Sequence, residues 1–340
     1  MNESFYYSTL KEKPEYFEQT LKLIENSLHY KEDNKFSVDF APLMTKENHH
    51  QCHIMVDTVS KTVIGHIGVL KKNLMVNGVP FPVALIGGVC IAERHRGQGL
   101  FSKLMNHVLN THNESVGMFM LWTGDHQLYR KFDFHLCIEQ VEVKKTKAES
   151  THYIKTHYSD LNTAEKAQVR RLYQKHIIDF CVSFERTEND WKNLELITST
   201  DLYIRRQNNN IVGYFFMNKG QDLAGIVHEI ASDTSYDDVS NYGNVWVTPA
   251  HRVSGEEFET QFASLVKIAN IDLFRRMIFK YTQEKILIIK TDGEDISFEF
   301  DKRIFTIPTQ RFLTGLWGPN TFTEFNFQTK PLYVSGLDSI

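Results

Sequence analysis

The stretch Ala84-Leu-Ile-Gly-Gly-Val-Cys-Ile-Ala-Glu-Arg-His-Arg-Gly-Gln-Gly-Leu-Phe-Ser-Lys-Leu-Met-Asn-His-Val-Leu109 reads as a buried strand, a glycine-rich turn and an amphipathic helix. Ala84 to Ile91 is an apolar, partly β-branched run of strand length, and Gly87 and Gly88 mark a bulge or a close backbone approach in its middle. From Leu100 the apolar residues Leu100, Phe101, Leu104, Met105, Val108 and Leu109 recur at helical spacing, which predicts a helix beginning at Gly99 or Leu100. Between them, Arg94-His-Arg-Gly97-Gln98-Gly99 presents successive backbone N–H groups at a helix N-terminus. The amides from Arg96 to Ser102 and the positive end of the helix dipole favour a phosphate, and the bare Gly97 and Gly99 let it approach the backbone. Arg94 and Arg96 add positive charge. A tight strand-to-helix turn that binds nothing has the same form, so the neighbouring segments have to decide.

A dinucleotide fingerprint would need a third glycine where Ser102 stands, and a P-loop needs Gly-Lys-Ser/Thr after four spacers. The turn instead resembles the Arg/Gln-x-x-Gly-x-Gly/Ala signature of the GCN5-related N-acetyltransferases (GNAT), whose loop holds the pyrophosphate of acetyl-coenzyme A. Arg94, Gly97 and Gly99 match each defined position.

Upstream, Phe17, Leu21, Leu23, Ile24 and Leu28 give Pro14 to Leu28 the spacing of an amphipathic helix, and Phe36 to Leu43 follows as an irregular aromatic stretch suited to substrate contacts. Ile54 to Val59, Thr62 to Leu70 and Leu74 to Val83 read as consecutive strands, with Asn77-Gly78 as a hairpin turn. His49-His-Gln-Cys-His53 matches no zinc spacing and reads as a polar loop entering a strand.

Downstream, Gly117 to Thr123 is a short buried strand ending at Gly124-Asp125. Strand, crossover helix and strand would form a parallel unit whose ligand crevice lies at the strands' carboxyl ends, where the glycine loop and Gly124 to Tyr129 both fall. Tyr129-Arg-Lys-Phe-Asp133-Phe134 resembles the Tyr-x-x-x-Gly-Phe of the same superfamily, with Asp133 in place of glycine.

A polar segment, Lys144 to Thr151, suggests a boundary, giving an acetyltransferase domain at 1–148 and a second lobe at 149–340. Thr163 to Phe180 and Thr187 to Ile197 are helix-like, Leu202 to Met217 reads as a strand hairpin, and Leu223 to Ile230 as the next strand. This repeats the element order of the first lobe, yet Asp233-Thr-Ser-Tyr-Asp-Asp follows where an Arg-x-x-Gly-x-Gly would stand. The pairing resembles the enhanced intracellular survival group of acetyltransferases, with an active N-terminal domain, a degenerate second one without a cofactor site and a carrier-like third, for which the remainder here is short and is expected to fold onto the second lobe. The expected class is thus α/β with a mixed sheet: a GNAT acyl-CoA N-acyltransferase fold, then a degenerate GNAT-like lobe with C-terminal strands from about 284 to 340, at Ile286, Ile296 and Ile304, and a helix from Gln310 to Leu316.

The 340 residues suit two lobes. With 41% hydrophobic and 24% charged residues the composition is that of a soluble protein, and a net charge of -4 implies no nucleic-acid partner. The first residues lack the features of a signal peptide, and no run approaches a membrane span, so the cytoplasm is expected. Cys52, Cys90, Cys137 and Cys181 show no Cys-x-x-Cys spacing and read as buried thiols.

The resemblance implies direct acetyl transfer from acetyl-CoA, as cosubstrate and without a metal, to a primary amine of a small molecule or peptide. The strand around Val89, Cys90 and Ile91 would offer a backbone amide to the thioester oxygen, and no covalent intermediate is required. The cofactor contacts expected are Val89, Cys90, Ile91, Arg94, Arg96, Gly97, Gln98, Gly99, Leu100, Phe101, Ser102, Gly124 and Asp125. By resemblance Tyr129 is the general acid, and the C-terminal carboxylate, here that of Ile340, the base; Asp125, His126 and Glu93 are alternative bases. A homo-oligomer is compatible with this reading. The competing reading is a coenzyme A-binding sensor or scaffold without turnover.

Overall fold

A computed structural model describes residues 4–145, 152–232, 239–248, 258–319, 321–325 and 329–340. The first half runs β1 (Phe5–Thr9), α1 (Phe17–Ser27), α2 (Phe36–Asp39), α3 (Ala41–Met44), β2 (Cys52–Asp57), β3 (Val63–Val76), β4 (Val79–Ile91), α4 (Leu100–His112), β5 (Met118–Leu121), α5 (His126–Arg130) and β6 (His135–Val143). Asn77 and Gly78 both take positive φ, +48° and +77°, as a two-residue hairpin turn requires, and β3 and β4 pair from Val76↔Val79 to Gly65↔Ile91. The expected strands Thr62 to Leu70, Leu74 to Val83 and Ala84 to Ile91 are therefore two arms of one long hairpin, and Ile54 to Val59 falls on the separate β2. Lys71-Lys72-Asn73, which reads as a break, continues β3 opposite Ala84, Val83 and Pro82. The aromatic stretch is not irregular either: it forms α2 and α3, separated at Phe40, whose φ of −119° interrupts the helix before Pro42 restarts it.

β4, α4 and β5 make the expected parallel unit. The two strands pair only over Ala84↔Phe119, Leu85↔Met120 and Ile86↔Leu121, and β4 continues to Ile91 with β3 as its one strand partner.

The second half contains β7 (Ile154–Thr156), α6 (Thr163–Tyr173), β8 (Ser183–Phe184), α7 (Glu188–Leu194), β9 (Asp201–Gln207), β10 (Asn210–Met217), β11 (Ile226–Ser232), β12 (Asn244–Val247) and β13 (Phe258–Ile268). One mixed sheet runs through both halves in the order β1-β2-β3-β4-β5-β13-β6-β12-β11-β10-β9-β7, with β8 on β3. β13 lies antiparallel between β5 and β6, pairing Leu265 with both Leu121 and Leu136. A late strand thus completes the first lobe's sheet, while the end of β6 pairs with β12. Helices, hairpin, strand and the parallel β11–β12 pair repeat the first lobe's plan in degenerate form. Asp233 to Asp238, and residues 146–151 of the suggested boundary, lie outside the described residues.

The chain closes with α8 (Ile271–Tyr281), a separate sheet of β14 (Leu287–Thr291), β15 (Asp295–Phe300) and β16 (Arg303–Pro308), and α9 (Thr309–Trp317). A shared core of Leu43, Val83, Leu85, Met118, Phe274, Phe298, Phe312 and Ile340 ties this extension to the first lobe.

Candidate active site

The glycine loop has the conformation an anion site needs. Gly97 and Gly99 lie at φ +74° and +75°, and a Cβ on either would meet no atom within 4 Å, so the space above both is open. Gly99 is the N-cap of the thirteen-residue α4, no side chain caps it, and the first-turn amides keep their donors for a ligand. The loop is braced from below: Arg96 Nε donates to the Ile91 carbonyl at 3.2 Å and Gln98 Nε2 to the Arg94 carbonyl at 3.3 Å. Arg94 reaches sideways to Thr62 Oγ1 at 3.1 Å. Leu100 is buried under the helix start and Phe101 and Ser102 are half-buried. Ser102 Oγ accepts a hydrogen bond from Lys131 Nζ at 2.8 Å, a cation beside the loop that sequence reasoning missed.

Where β4 leaves β5, its backbone is bulged. His66 pairs with Cys90 and Gly68 with Gly87, so Gly88 and Val89 together oppose Ile67, and Gly88 has φ +59°. The buried His66 accounts for the shape, because its Nδ1 bonds the Gly88 carbonyl at 2.7 Å. Burial pulls its imidazole down to about 4, so at neutral pH it is uncharged and Nδ1–H donates to that carbonyl. The bulge leaves Gly88 and Val89 out of the one-to-one ladder with β3, just past Ile86, where β4 parts from β5. Cys90 lies in the sheet with its thiol pushed up to about 12 by burial, which suits packing and not nucleophilic attack.

Tyr129 sits on α5 across the opening, 6% exposed, with its ring edge-on to Phe101 at 5.7 Å and Phe134 at 6.0 Å. Burial, then the nearby Asp125 carboxylate and Cys90, push its hydroxyl up to about 12, so it stays protonated at neutral pH. Gly124 is exposed with open space around it, and the exposed Asp125 caps α5, accepting from the Leu128 amide at 3.3 Å. Asp133 takes φ +62°, the left-handed conformation that glycine serves in the resembling motif, with Lys267 Nζ 3.3 Å from its carboxylate.

The chain's last residue arrives at the same place. A Cβ built on Gly87 would stand 2.8 Å from the Ile340 carboxyl carbon and 3.1 Å from its oxygen. The segment is fixed by charges from both lobes. Asp338 accepts from Lys72 Nζ on β3 and from Arg186 Nη2 at 2.7 Å, and Arg186 also pairs with Glu229 on β11, all with side chains almost wholly buried. The two cations hold the Asp338 carboxyl far below the usual carboxylate range against the raising effect of burial. Of the alternative bases, Glu93 and His126 are exposed and Asp125 is engaged as a cap.

His49 to His53 divides between a 3-10 turn (Lys46–Gln51) and β2, and His53 Nε2 meets His112 Nε2 at 2.8 Å. Among the described residues, no group of three or more His, Cys, Asp or Glu is placed to hold a metal, and no helix is long and apolar enough to cross a membrane. A cavity of about 520 Å³ between the first lobe and the turn after β10 is lined by Asp33, Lys35, Asp39, Ser199, Asn218 and Gly220.

Comparison with known proteins agrees with this layout. Residues 9–137 match the family model described as an acetyltransferase (GNAT) domain. No curated protein matches the chain in sequence. Among solved structures the fold is similar to that of Eis1 from Mycobacterium abscessus (12% identity, 98% of this chain and 99% of that one, TM-score 0.58). A GCN5-related N-acetyltransferase from Kribbella flavida is also similar (14% identity, 90% and 85%, TM-score 0.58). So is Saccharomyces cerevisiae N-myristoyltransferase with bound myristoyl-CoA (12% identity, 79% and 81%, TM-score 0.53). The strand, glycine loop, helix and tyrosine segment all lie within the span, residues 9–137, that matches the acetyltransferase (GNAT) domain model.

Proposed function

We propose that the protein transfers the acetyl group of acetyl-CoA directly to a primary amine of a small molecule or peptide. The observation that carries this reading is the convergence of three groups on the opening beyond Ile86: the α4 N-terminus, the Gly88–Val89 bulge and the Ile340 carboxyl against Gly87.

The loop from Arg94 to Ser102 would take the pyrophosphate on its amides, and the pantetheine arm would run along Val89 to Ile91 toward Gly124 and Asp125. A β4 amide at the bulge would donate to the thioester oxygen as negative charge builds on it. The amine nitrogen attacks the carbonyl carbon, the C–N bond forms and the C–S bond breaks. The proton from the amine passes to the Ile340 carboxylate, and the departing thiolate takes the Tyr129 hydroxyl proton. Tyr129, held protonated, suits the second step.

The test is product stoichiometry. With a panel of amines and acetyl-CoA, each free thiol should match one acetylated amine. A protein that binds coenzyme A and releases no thiol with any amine is a sensor or scaffold and not this enzyme.

A further inference from the structure

Lys219, at the end of β10, is 1% exposed, which for an ammonium group demands specific partners. Its Nζ donates to the Gly336 and Ser339 carbonyls, both at 2.7 Å, and lies 4.6 Å from the Phe40 ring centroid. Burial pulls it down to about 7, opposed by Asp338, Asp39 and Asp222, with Lys72 acting in the same sense as burial. The next residue could carry no side chain: a Cβ on Gly220, at φ +57°, would fall 1.7 Å from Asp39 Oδ2. The Lys219-Gly220 corner is therefore pressed against α2 of the first lobe while it grips the tail.

The grip falls at an informative bond. The Ser339 carbonyl shares a rigid peptide plane with the Ile340 amide, so fixing that oxygen fixes the plane and leaves only the soft dihedrals of Ile340 to aim its carboxyl. Asp338, the other anchor, lies a residue further back, and its ion pairs locate the turn without setting that plane. The turn is closed on itself by the Asp338 and Ser339 amides, which both donate to the Ser335 carbonyl.

We propose that Lys219 is a positioning residue, which acts through the Ser339 carbonyl to aim the Ile340 carboxyl at the β4 bulge. This rests on the reading of that carboxyl as the proton acceptor. The experiment compares the chain ending at Ile340 with Lys219→Met, Lys219→Gln and a chain extended by one glycine after Ile340. It measures steady-state acetylation across pH and calorimetric acetyl-CoA binding. Lys219→Met should keep acetyl-CoA affinity and lose roughly 10- to 100-fold in kcat. Lys219→Gln, which retains N–H donors, should recover part of kcat. Parental kcat in Lys219→Met, a loss that Lys219→Gln does not partly recover, or a matching loss of acetyl-CoA affinity overturns the proposal. If Lys219→Met does not fold, Lys219→Gln is judged by the same criteria against the parent. Full turnover by the glycine-extended chain would overturn the proton-acceptor reading itself. Loss of turnover there, with none in the Lys219 variants, removes only the role of Lys219.

Discussion

Gly87 and Ile340 occupy adjoining positions that leave no room for a side chain between them: a Cβ on Gly87 would stand 2.8 Å from the Ile340 carboxyl carbon. The glycine is required by close approach, since its φ does not lie in the left-handed region. The two residues are far apart in sequence, and their contact brings a carboxyl group to a strand that has just parted from its parallel neighbour.

Gly87→Ala should therefore act on catalysis more than on the cofactor. The methyl group has to push the Ile340 carboxyl away, lowering turnover by roughly 10- to 1000-fold if that group takes the proton. Acetyl-CoA binding should persist, and overpacking should cost about 1–3 kcal/mol of stability. Steady-state kinetics beside calorimetry separates the two effects, and parental turnover would remove the carboxyl from the reaction.

Tyr129→Phe removes one oxygen and keeps the ring that packs on Phe101 and Phe134. Turnover should fall by roughly 10- to 1000-fold with coenzyme A affinity nearly unchanged. Full activity in this variant would assign Tyr129 to packing and leave the thiolate to water.

Arg186→Met should destabilise the whole molecule. The guanidinium is buried between the Glu229 and Asp338 carboxylates and lies 4.1 Å from the Tyr173 ring centroid. Its loss leaves two buried carboxylates without that partner, at a cost of about 3–5 kcal/mol. Chemical denaturation measures this directly, and a change below about 1 kcal/mol would mean the cluster is replaceable.

Acid should weaken the fold well above the carboxylate range. Burial pulls His53 and His228 to about 3 and His66 and His112 to about 4, below the roughly 6.5 of an unfolded imidazole. Between those values the unfolded chain binds protons that the folded chain refuses. Stability is thus complete above about pH 6.5 and declines as pH falls toward 4, by at most about 1.4 kcal/mol per pH unit for each histidine. Urea midpoints across this range should fall steadily; a flat profile would show that these rings are solvated or paired when protonated.

The local features are legible in the sequence because they are written in neighbouring residues. Asn77-Gly78 dictates its hairpin, Gly87-Gly88 lies at the bulge, and Gly97 and Gly99 adopt the positive φ that an open anion loop requires. Asp133 takes the conformation of the glycine it replaces in the resembling motif. Non-local pairings were not legible. β13 shows only weak alternation, and its place between β5 and β6 depends on partners more than a hundred residues earlier. Nor does anything near Lys72, Arg186 or Lys219 announce that these residues meet the last residues of the chain; their burial is a consequence of the two lobes packing together.

Gly97→Asp asks whether the α4 loop holds acetyl-CoA for transfer. The space above Gly97 is open, so apart from the strain of φ +74°, about 1 kcal/mol, the substitution should leave the fold intact. It places a carboxylate where the pyrophosphate would lie. Amine-dependent thiol release from acetyl-CoA, measured beside calorimetric binding, should be robust in the parent and lost together with coenzyme A binding in a folded Gly97→Asp variant. A folded variant that binds and turns over acetyl-CoA as the parent does would place the cofactor elsewhere.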